Sequence, residues 1–289
     1  MEISKLEEIR KIGIIAMFSD DELMEMLILK GGNAISLFYP EYSRASVDLD
    51  FSMDNDIDKE HIPIIAEKIK KVLEKTFSEH GYIVFDFKFH EKPKVRKEGL
   101  KHFWGGYRVE FKLIEKERYK TLKDDIDRMR KSALALGTGE KRPFIIEISK
   151  HEFCRYKDEK ELDGYTIYVY TPAMLVIEKI RAICQQMHNY PYGTKSARAR
   201  DFFDIFILME TCKIDLLKDE NIELCKLIFQ AKEVPLEFIK RIPETRDFHE
   251  KDFSSVIDTV YAGFKLEDFD YYFDYVVSKT KELKILWEV

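Results

Sequence analysis

Residues 29–52 read LKGGNAISLFYPEYSRASVDLDFS, with a Gly-Gly pair shortly before two aspartates that stand one residue apart. Hydrophobic and polar residues alternate in SVDLDFS, which predicts a β-strand with Asp48 and Asp50 on one face. Two interpretations compete. In one, Gly31 ends a helix and the aspartates are a solvated strand face. In the other, the glycines bind phosphate next to a divalent-metal site.

The chain has 289 residues, of which 45% are hydrophobic and 35% charged, so it can bury the core of one large domain or two small ones. Its formal charge of −6 argues against a surface coated with cations for nucleic acid. No stretch has the roughly 18 to 20 apolar residues of a membrane span, and the N-terminus lacks the apolar region of a signal peptide. The four widely spaced cysteines are typical of free thiols in a reducing compartment. We therefore expect a cytoplasmic protein without a membrane segment.

The order of elements predicts an α+β fold. Helical spacing covers residues 3–18, 20–30 and 118–135, a short helix covers 33–39, and a longer one runs from about Asp58 to Gly81. Strand patterns cover 82–90, 105–115, 142–149 and 165–170. Thr171 can cap a helix that has Pro172 at its first position, and almost everything beyond has a helical pattern. We expect a mixed β-sheet domain with flanking helices at 1–171 and a helical bundle at 172–289.

Asp48 and Asp50 have the spacing that magnesium chemistry uses. At i and i+2 of a strand, two carboxylates lie about 7 Å apart along the backbone, and Mg²⁺ prefers such oxygens together with waters and substrate phosphates. A third acid from a neighbouring strand would complete the site. Gly31 and Gly32 at a helix start would let backbone N–H groups approach a triphosphate. The stretch lacks the G-K-[ST] ending of a Walker loop, and each half alone is weak evidence.

The two halves together resemble the first motif of the AbiEii-type nucleotidyltransferase-like proteins, within the DNA polymerase β nucleotidyltransferase superfamily. The usual form is close to K-G-G-T-x-L…R-x-S-x-D-x-D-F. The matching positions are Lys30, Gly31, Gly32, Arg44, Ser46, Asp48, Asp50 and Phe51. Asn33 stands where the family usually has Thr or Ser, and its amide can still donate a hydrogen bond.

A second block resembles the family's K-x-R-A…R-D-x-x-D element. Its matching positions are Lys179, Arg181, Ala182, Arg200, Asp201 and Asp204. The resemblance implies that Lys179 binds nucleotide phosphates and that Asp201 orients this lysine or the metal-bound substrate. The alternative is purely structural, with ion pairs Lys179–Asp201 or Arg200–Asp204 joining two helices. For the Arg200–Asp204 pair we favour the structural role.

The third acid has two candidates, since both Glu110 and Glu147 lie in strand patterns. The family commonly carries an acid in an I-x-I/V-[DE]-I strand, which favours Glu147, with Glu110 as the second choice. The resemblance thus implies Asp48, Asp50 and Glu147 as metal ligands, with Lys179 and Asp201 completing the catalytic set. It further implies a set of nucleotide-binding residues, namely Lys30, Gly31, Gly32, Asn33, Ser46 and Lys179.

These residues give a leading hypothesis for the function. The chain would transfer a nucleoside monophosphate from an NTP to a hydroxyl of RNA, protein or a small molecule, using Mg²⁺ or Mn²⁺. The basic segments 88–101 and 193–200 could steer an RNA such as tRNA. By resemblance, it would be the toxin of a toxin–antitoxin pair and would have a cognate antitoxin protein as partner. One alternative is a catalytically silent module that binds a nucleotide or a partner, and another is an RNA-binding helical scaffold.

Overall fold

The structure is a computed structural model that describes residues 3–39, 44, 48–93, 103–135, 142–193, 195–261 and 263–288. Of the predicted site residues, Ser46 lies outside the described residues. The chain divides into two compact units. Unit 1 takes its residues from Met1–Asn33, Val47–Gly99 and Gly105–Val169, and unit 2 from Ala34–Ser46, Leu100–Trp104 and Tyr170–Val289. Two short segments from the first half of the chain thus belong to unit 2, while the predicted domain boundary at 171/172 stays a prediction.

Unit 1 is built around a seven-stranded sheet among the described residues, in the order β3-β4-β5-β2-β1-β7-β6. The strands are β1 (Ile28–Lys30), β2 (Leu49–Ser52), β3 (Tyr82–Lys92), β4 (Gly106–Glu115), β5 (Phe144–Ser149), β6 (Asp158–Leu162) and β7 (Tyr165–Val169). The helices of the first half are α1 (Ile3–Phe18), α2 (Asp21–Met26), α3 (Gly31–Phe38), α4 (Ile62–Glu79), α5 (Lys116–Leu122) and α6 (Ile126–Ser132). The sheet is mixed, because β2 pairs with β5 and β1 with β7 in parallel while the other pairs are antiparallel.

One face of the sheet carries the core of unit 1. Its alternate residues, such as Phe51 of β2 and Phe111 of β4, are fully buried. Helix α1 reaches this face through Phe18, whose ring lies 6.0 Å from that of Phe51, and α4 through Phe77, 5.6 Å from Phe111. The opposite face keeps half-buried polar residues, including Asp50 and Glu147. The alternation of the strands therefore separates a packing face from a polar face.

The mixed α+β fold class is confirmed, but two strands were not predicted. Residues 28–30 form β1 instead of continuing the predicted helix 20–30, so Gly31 does not end that helix. All of Ile28–Lys30 is buried, and a short, fully buried strand cannot be told from a helix by periodicity. Strand β6 pairs with β7 in a hairpin. The predicted helix 118–135 is two short helices, α5 and α6, and Asp48 precedes β2.

Unit 2 is helical, as predicted for the second half of the chain. Its α-helices are α7 (Pro172–Cys184), α8 (Ala199–Cys212), α9 (Asp219–Gln230), α10 (Arg246–Glu250), α11 (Ser254–Ile257) and α12 (Phe269–Glu282). Two 3-10 helices cover Leu236–Thr245 and Leu283–Leu286. The predicted cap is confirmed, because the Thr171 hydroxyl accepts a hydrogen bond from the Met174 backbone N–H. Within the described ranges, no helix combines the length and apolar character required to cross a membrane.

His249 is fully buried in unit 2 and is held in one tautomer. Its Nδ1 accepts a hydrogen bond of 3.1 Å from the Arg198 backbone N–H, and Nε2 has no partner among the described residues. The neutral ring therefore carries its proton on Nε2. Burial lowers the pKa of His249 from 6.5 to about 4, and Asp201 opposes this only in part.

This burial predicts a loss of stability in mild acid. Between pH 6.5 and about 4, His249 is protonated in the unfolded chain but neutral in the folded chain. The free energy of unfolding therefore falls as the pH is lowered through this window, and at pH 4 the loss is about 3 kcal/mol. In His249→Asn this part of the pH dependence disappears. Urea unfolding can be followed by the fluorescence of Trp104 and Trp287, both in unit 2. The exposed His61, changed to Asn, is the control. An unchanged pH slope in His249→Asn would contradict the prediction.

Candidate functional site

A row of ionisable residues crosses the polar face of the unit 1 sheet. Asp50 of β2 lies opposite Lys30 of β1 on one side and Glu147 of β5 on the other. Glu147 lies opposite Arg108 of β4, which in turn lies opposite His90 of β3. Directly paired residues of neighbouring strands project from the same face. The sheet register thus brings residues from five separate parts of the sequence into one line.

The two aspartates lie at the start of β2. Asp48 is exposed and immediately precedes the strand, and Asp50 is half-buried within it. The backbone carbonyl of Asp48 accepts a hydrogen bond of 2.6 Å from the Asn33 side-chain amide. The side-chain oxygen of Asn33, Oδ1, accepts a hydrogen bond of 3.4 Å from the Arg10 guanidinium. Asn33, predicted to bind nucleotide, is buried and holds the backbone that leads into β2.

Gly31 stands directly against Asp50. It adopts φ = 71°, a left-handed conformation that favours glycine. A Cβ added at Gly31 would lie 2.5 Å from the Asp50 carboxylate Oδ2 and 3.1 Å from its Cβ. Gly32 follows as a buried residue in the first turn of α3. The first two features of the motif, GG and DxD, are therefore in contact in the structure.

Lys30 precedes this turn and is buried. Its Nζ lies 3.7 Å from Oε1 of Glu152, and both side chains are less than a tenth exposed. A buried lysine needs such a counter-charge. Lys30 therefore has an electrostatic partner within unit 1, and its predicted contact with nucleotide stays a prediction.

The register distinguishes the two candidates for the third acid. Glu147 lies beside Asp50 on the adjacent strand, β5. Glu110 lies one strand further away, in β4, where it is opposite Ile145 of β5. The Glu147 carboxylate is 2.8 Å from Lys92 Nζ and 3.6 Å from Arg108 Nε. Arg108 Nε is also 3.2 Å from Glu110. Of the two glutamates, Glu147 is the one next to Asp50.

The carboxylates fit a metal that keeps part of its water shell. Among the described residues, no three His, Cys, Asp or Glu side chains are grouped as a ready-made metal site. Mg²⁺ is usually held by one or two carboxylates, with waters and substrate phosphates as the other ligands. Asp48 and Asp50, with Glu147 beside them, supply donors of this kind. The oxygen-only chemistry of these donors suits Mg²⁺ or Mn²⁺ better than zinc.

The second motif forms a buried charge cluster in unit 2. Lys179 of α7 donates hydrogen bonds to Asp201 at 3.0 Å and Asp204 at 2.7 Å, both on α8. Arg44 binds both oxygens of Asp204, at 2.7 and 2.6 Å, and Arg198 pairs with Asp201. Lys179, Asp201, Asp204 and Arg44 are all less than a tenth exposed. These contacts tie α7 to α8.

The electrostatics of this cluster keep all its members charged. Burial alone would lower the pKa of Lys179, but Asp201 and Asp204 outweigh it and the pKa is raised. Burial would raise the pKa of Asp204, but Arg44 and Lys179 hold it far below its ordinary value. For Asp201, Arg198 and Lys179 likewise outweigh burial and lower the pKa. Each buried charge is therefore compensated by charges of opposite sign.

Two aspects of this cluster differ from the sequence analysis. The predicted Arg200–Asp204 pair is wrong, because Arg200 is exposed and Asp204 instead binds Arg44 and Lys179. Arg44 matched the first motif but was given no role, and Lys92 and Arg108 were not recognised as neighbours of Glu147. For Arg108 a signal existed, since strand alternation puts it on the face of Glu110.

The contact between Gly31 and Asp50 predicts a specific cost for Gly31→Ala. The left-handed backbone alone costs about 1 kcal/mol, and the added methyl must also displace the Asp50 carboxylate. Gly81→Ala is the matched control, because Gly81 has φ = 86° with nothing within 4 Å of the added Cβ. We expect Gly31→Ala to lower the free energy of unfolding more than Gly81→Ala does. In the double variant Gly31→Ala/Asp50→Ala, about 1 kcal/mol of the additional loss caused by Gly31→Ala should be recovered. Equal losses for the two alanines in urea unfolding would refute this contact.

The buried cluster predicts that Asp204→Asn is strongly destabilising. The change leaves Arg44 and Lys179 buried with less negative charge, which costs roughly 3–5 kcal/mol for a broken buried pair. The control is Asp270→Asn, which removes a more exposed pair with Arg246 on the same unit and should cost less than about 1 kcal/mol. Both are measured by urea unfolding with tryptophan fluorescence. Similar losses in the two variants would show that burial does not strengthen the cluster.

Comparison with known proteins identifies a matching family. A family model described as "Nucleotidyl transferase AbiEii toxin, Type IV TA system" matches residues 14–275. No curated protein gives a significant match.

Solved structures show the same fold. The crystal structure of JHP933 from Helicobacter pylori aligns with a TM-score of 0.51 and 15% identity, covering 98% of this chain and 92% of that one. A second H. pylori crystal structure, of a protein assigned as a nucleotidyltransferase, aligns with a TM-score of 0.52 and 15% identity, covering 99% and 97%. At this identity the likeness shows the fold alone.

Proposed function

Because the chain belongs to the AbiEii nucleotidyl transferase toxin family, we propose that it transfers a nucleoside monophosphate from an NTP to a hydroxyl group. The observation that carries the proposal is the contact of Gly31 with Asp50, together with the register of Asp50 and Glu147. It supports the interpretation of the glycine pair and the acids as one substrate site.

The proposed reaction is a displacement at the α-phosphorus of the NTP. The acceptor oxygen forms a bond to that phosphorus, the bond to the bridging oxygen breaks, and pyrophosphate leaves with its electron pair. The acceptor hydroxyl gives its proton to a base, which would be Glu147 if that carboxylate is not a metal ligand. A bound Mg²⁺ or Mn²⁺ would polarise the phosphate and neutralise charge on the leaving group.

The residues of the proposed site would have separate roles in holding the metal and the phosphates. Asp48, Asp50 and Glu147 would hold the metal, and Gly31 and Gly32 would let backbone N–H groups approach the phosphates. Asn33 would act through the backbone, since its amide fixes the carbonyl of Asp48.

On the strength of the family motif, we propose that Lys179 binds nucleotide phosphates and that Asp201 orients this lysine or the metal-bound substrate. In the structure, their direct contact also supports packing of α7 on α8. On the same family basis, we propose that Lys30 and Ser46 also bind the nucleotide.

The acceptor and the partner are proposed at the level of class. The basic segments 88–101 and 193–200 suit an RNA acceptor such as tRNA. The family description names a type IV TA system, and we propose a cognate antitoxin protein as a partner in a cytoplasmic toxin–antitoxin pair.

One observation favours a second candidate function. The Glu147 carboxylate already has Lys92 and Arg108 as ion partners, as expected if the fold binds a nucleotide without turning it over. Such a silent binding module would bind NTP with Mg²⁺ and release no pyrophosphate.

The test is transfer of label from α-³²P-NTPs to cellular RNA, a tRNA fraction and protein, with Mg²⁺ or Mn²⁺. We expect wild type to label one class of acceptor, and Asp48→Ala and Asp50→Ala to lose at least about 100-fold of this activity, as removal of charge-stabilising groups commonly does. The exposed Asp54, changed to Ala, is the control and should retain activity. Binding of NTP without labelling would support the silent module. Neither binding nor labelling would exclude both.

A further inference from the structure

The Glu147 carboxylate is held by cations from two other strands. Lys92 at the end of β3 lies 2.8 Å from its Oε1, and Arg108 in β4 lies 3.6 Å from the same oxygen. Arg108 also lies 3.2 Å from Glu110. The side chains of Lys92 and Glu147 are about two-fifths exposed, and that of Arg108 a quarter. The set is therefore partly exposed to solvent, unlike the buried cluster of unit 2, although the Arg108 Nε that contacts both glutamates is itself buried.

The sheet register explains how these side chains meet. Arg108 is directly opposite Glu147, and Lys92 is opposite Gly106, the residue two positions before Arg108. Because Gly106 has no side chain, nothing from that position stands between Lys92 and β5. The lysine can therefore cross β4 and reach Glu147.

Lys92 and Arg108 offset an electrostatic repulsion between two carboxylates that the same register brings together. Asp50 and Glu147 are directly opposite one another, and like charges in that position destabilise a sheet. An unrestrained glutamate also occupies several rotamers. Two cations on the side of Glu147 that faces β4 offset the repulsion and limit where the carboxylate can lie.

We propose that Arg108 and Lys92 are positioning residues that fix the Glu147 carboxylate beside Asp50, with Glu110 as the second anion of Arg108. The inference rests on the proposed function, since it deepens the role given there to Glu147. Both carboxylates lie against the same atom of Arg108, its Nε, at 3.2 Å from Glu110 and 3.6 Å from Glu147, so the guanidinium acts on them as one shared positive charge. Residues that support a metal ligand in this way commonly contribute roughly 10- to 100-fold to activity or metal affinity.

The kinetic test compares Arg108→Gln, Arg108→Lys and Lys92→Gln with a matched control. The control is Lys112→Gln, because Lys112 lies on the same strand and face as Arg108 but pairs with Asp86 at 2.8 Å. For Arg108→Gln we expect kcat to fall roughly 10- to 100-fold, while KM for the NTP changes little, since the acid and not the nucleotide is displaced. Lys92→Gln should also lower kcat, because Lys92 donates a hydrogen bond of 2.8 Å to the same carboxylate. Arg108→Lys should recover most of the activity, and Lys112→Gln should match wild type.

A second measurement does not require turnover. Mn²⁺ binding is followed by electron paramagnetic resonance, with a non-hydrolysable NTP analogue present. Arg108→Gln should weaken Mn²⁺ binding by roughly 10-fold or more in the wild-type background, but have no further effect when Glu147→Gln is already present. That non-additivity separates positioning of Glu147 from a general effect on the sheet.

The outcomes separate this inference from the proposed function. If wild type labels no acceptor, the proposed transfer fails, and the Mn²⁺ titration still decides the role of Arg108. If Arg108→Gln keeps wild-type Mn²⁺ affinity, or weakens it equally with and without Glu147, the positioning role is overturned. A loss shared by Lys112→Gln would also overturn it, since that would reflect strand stability alone.

Discussion

Gly31 and the Asp50 carboxylate lie so close together that each position constrains the other. The left-handed backbone at Gly31 turns the chain from β1 into α3, and the space for that turn exists because no side chain separates the backbone from Asp50. The pairing of Lys30 with Asp50 sets the register of β1 and β2, and the pairing of Asp50 with Glu147 extends it to β5. One tight turn is thereby linked to the positions of the glycine pair, the aspartates and Glu147.

The charged residues of the two motifs fall into two physical classes. Lys30 in unit 1 and Lys179 in unit 2 are buried and face buried carboxylates. Removing one partner of such a pair leaves an uncompensated buried charge and strongly lowers the free energy of unfolding. These contacts therefore stabilise the fold, whether or not the same residues also bind a ligand. Lys92 and Arg108 are partly exposed, where an ion pair contributes less to the stability of the fold. Residues of the second class can therefore act on the position of a neighbouring carboxylate while contributing less to the stability of the fold than the first class.

Much of this arrangement could be predicted from the sequence, since its signals are local. Alternation and glycine positions predicted α1, α4 and the strands β3, β4, β5 and β7, and Thr171 and Pro172 predicted the start of α7. Strand β1 was missed because three buried residues carry no period. The partner of Arg44 was missed for another reason. Asp204 is 160 positions away, and a contact of that separation leaves no pattern in either segment. The motif indicated that Arg44 matters without indicating what it binds.

The choice of third acid shows what the register adds to the pattern. Both Glu110 and Glu147 alternate with buried residues, so periodicity treats them alike. Glu147 lies on the strand next to Asp50, about 4.8 Å away in the direction of the backbone hydrogen bonds, while Glu110 lies one strand further and opposite Ile145. Oxygens that share one Mg²⁺ each lie about 2.1 Å from it, and so only a few ångströms from each other. If Asp48 and Asp50 hold an ion, Glu147 would therefore be the nearer of the two glutamates to it. Arg108 contacts both Glu147 and the more distant Glu110.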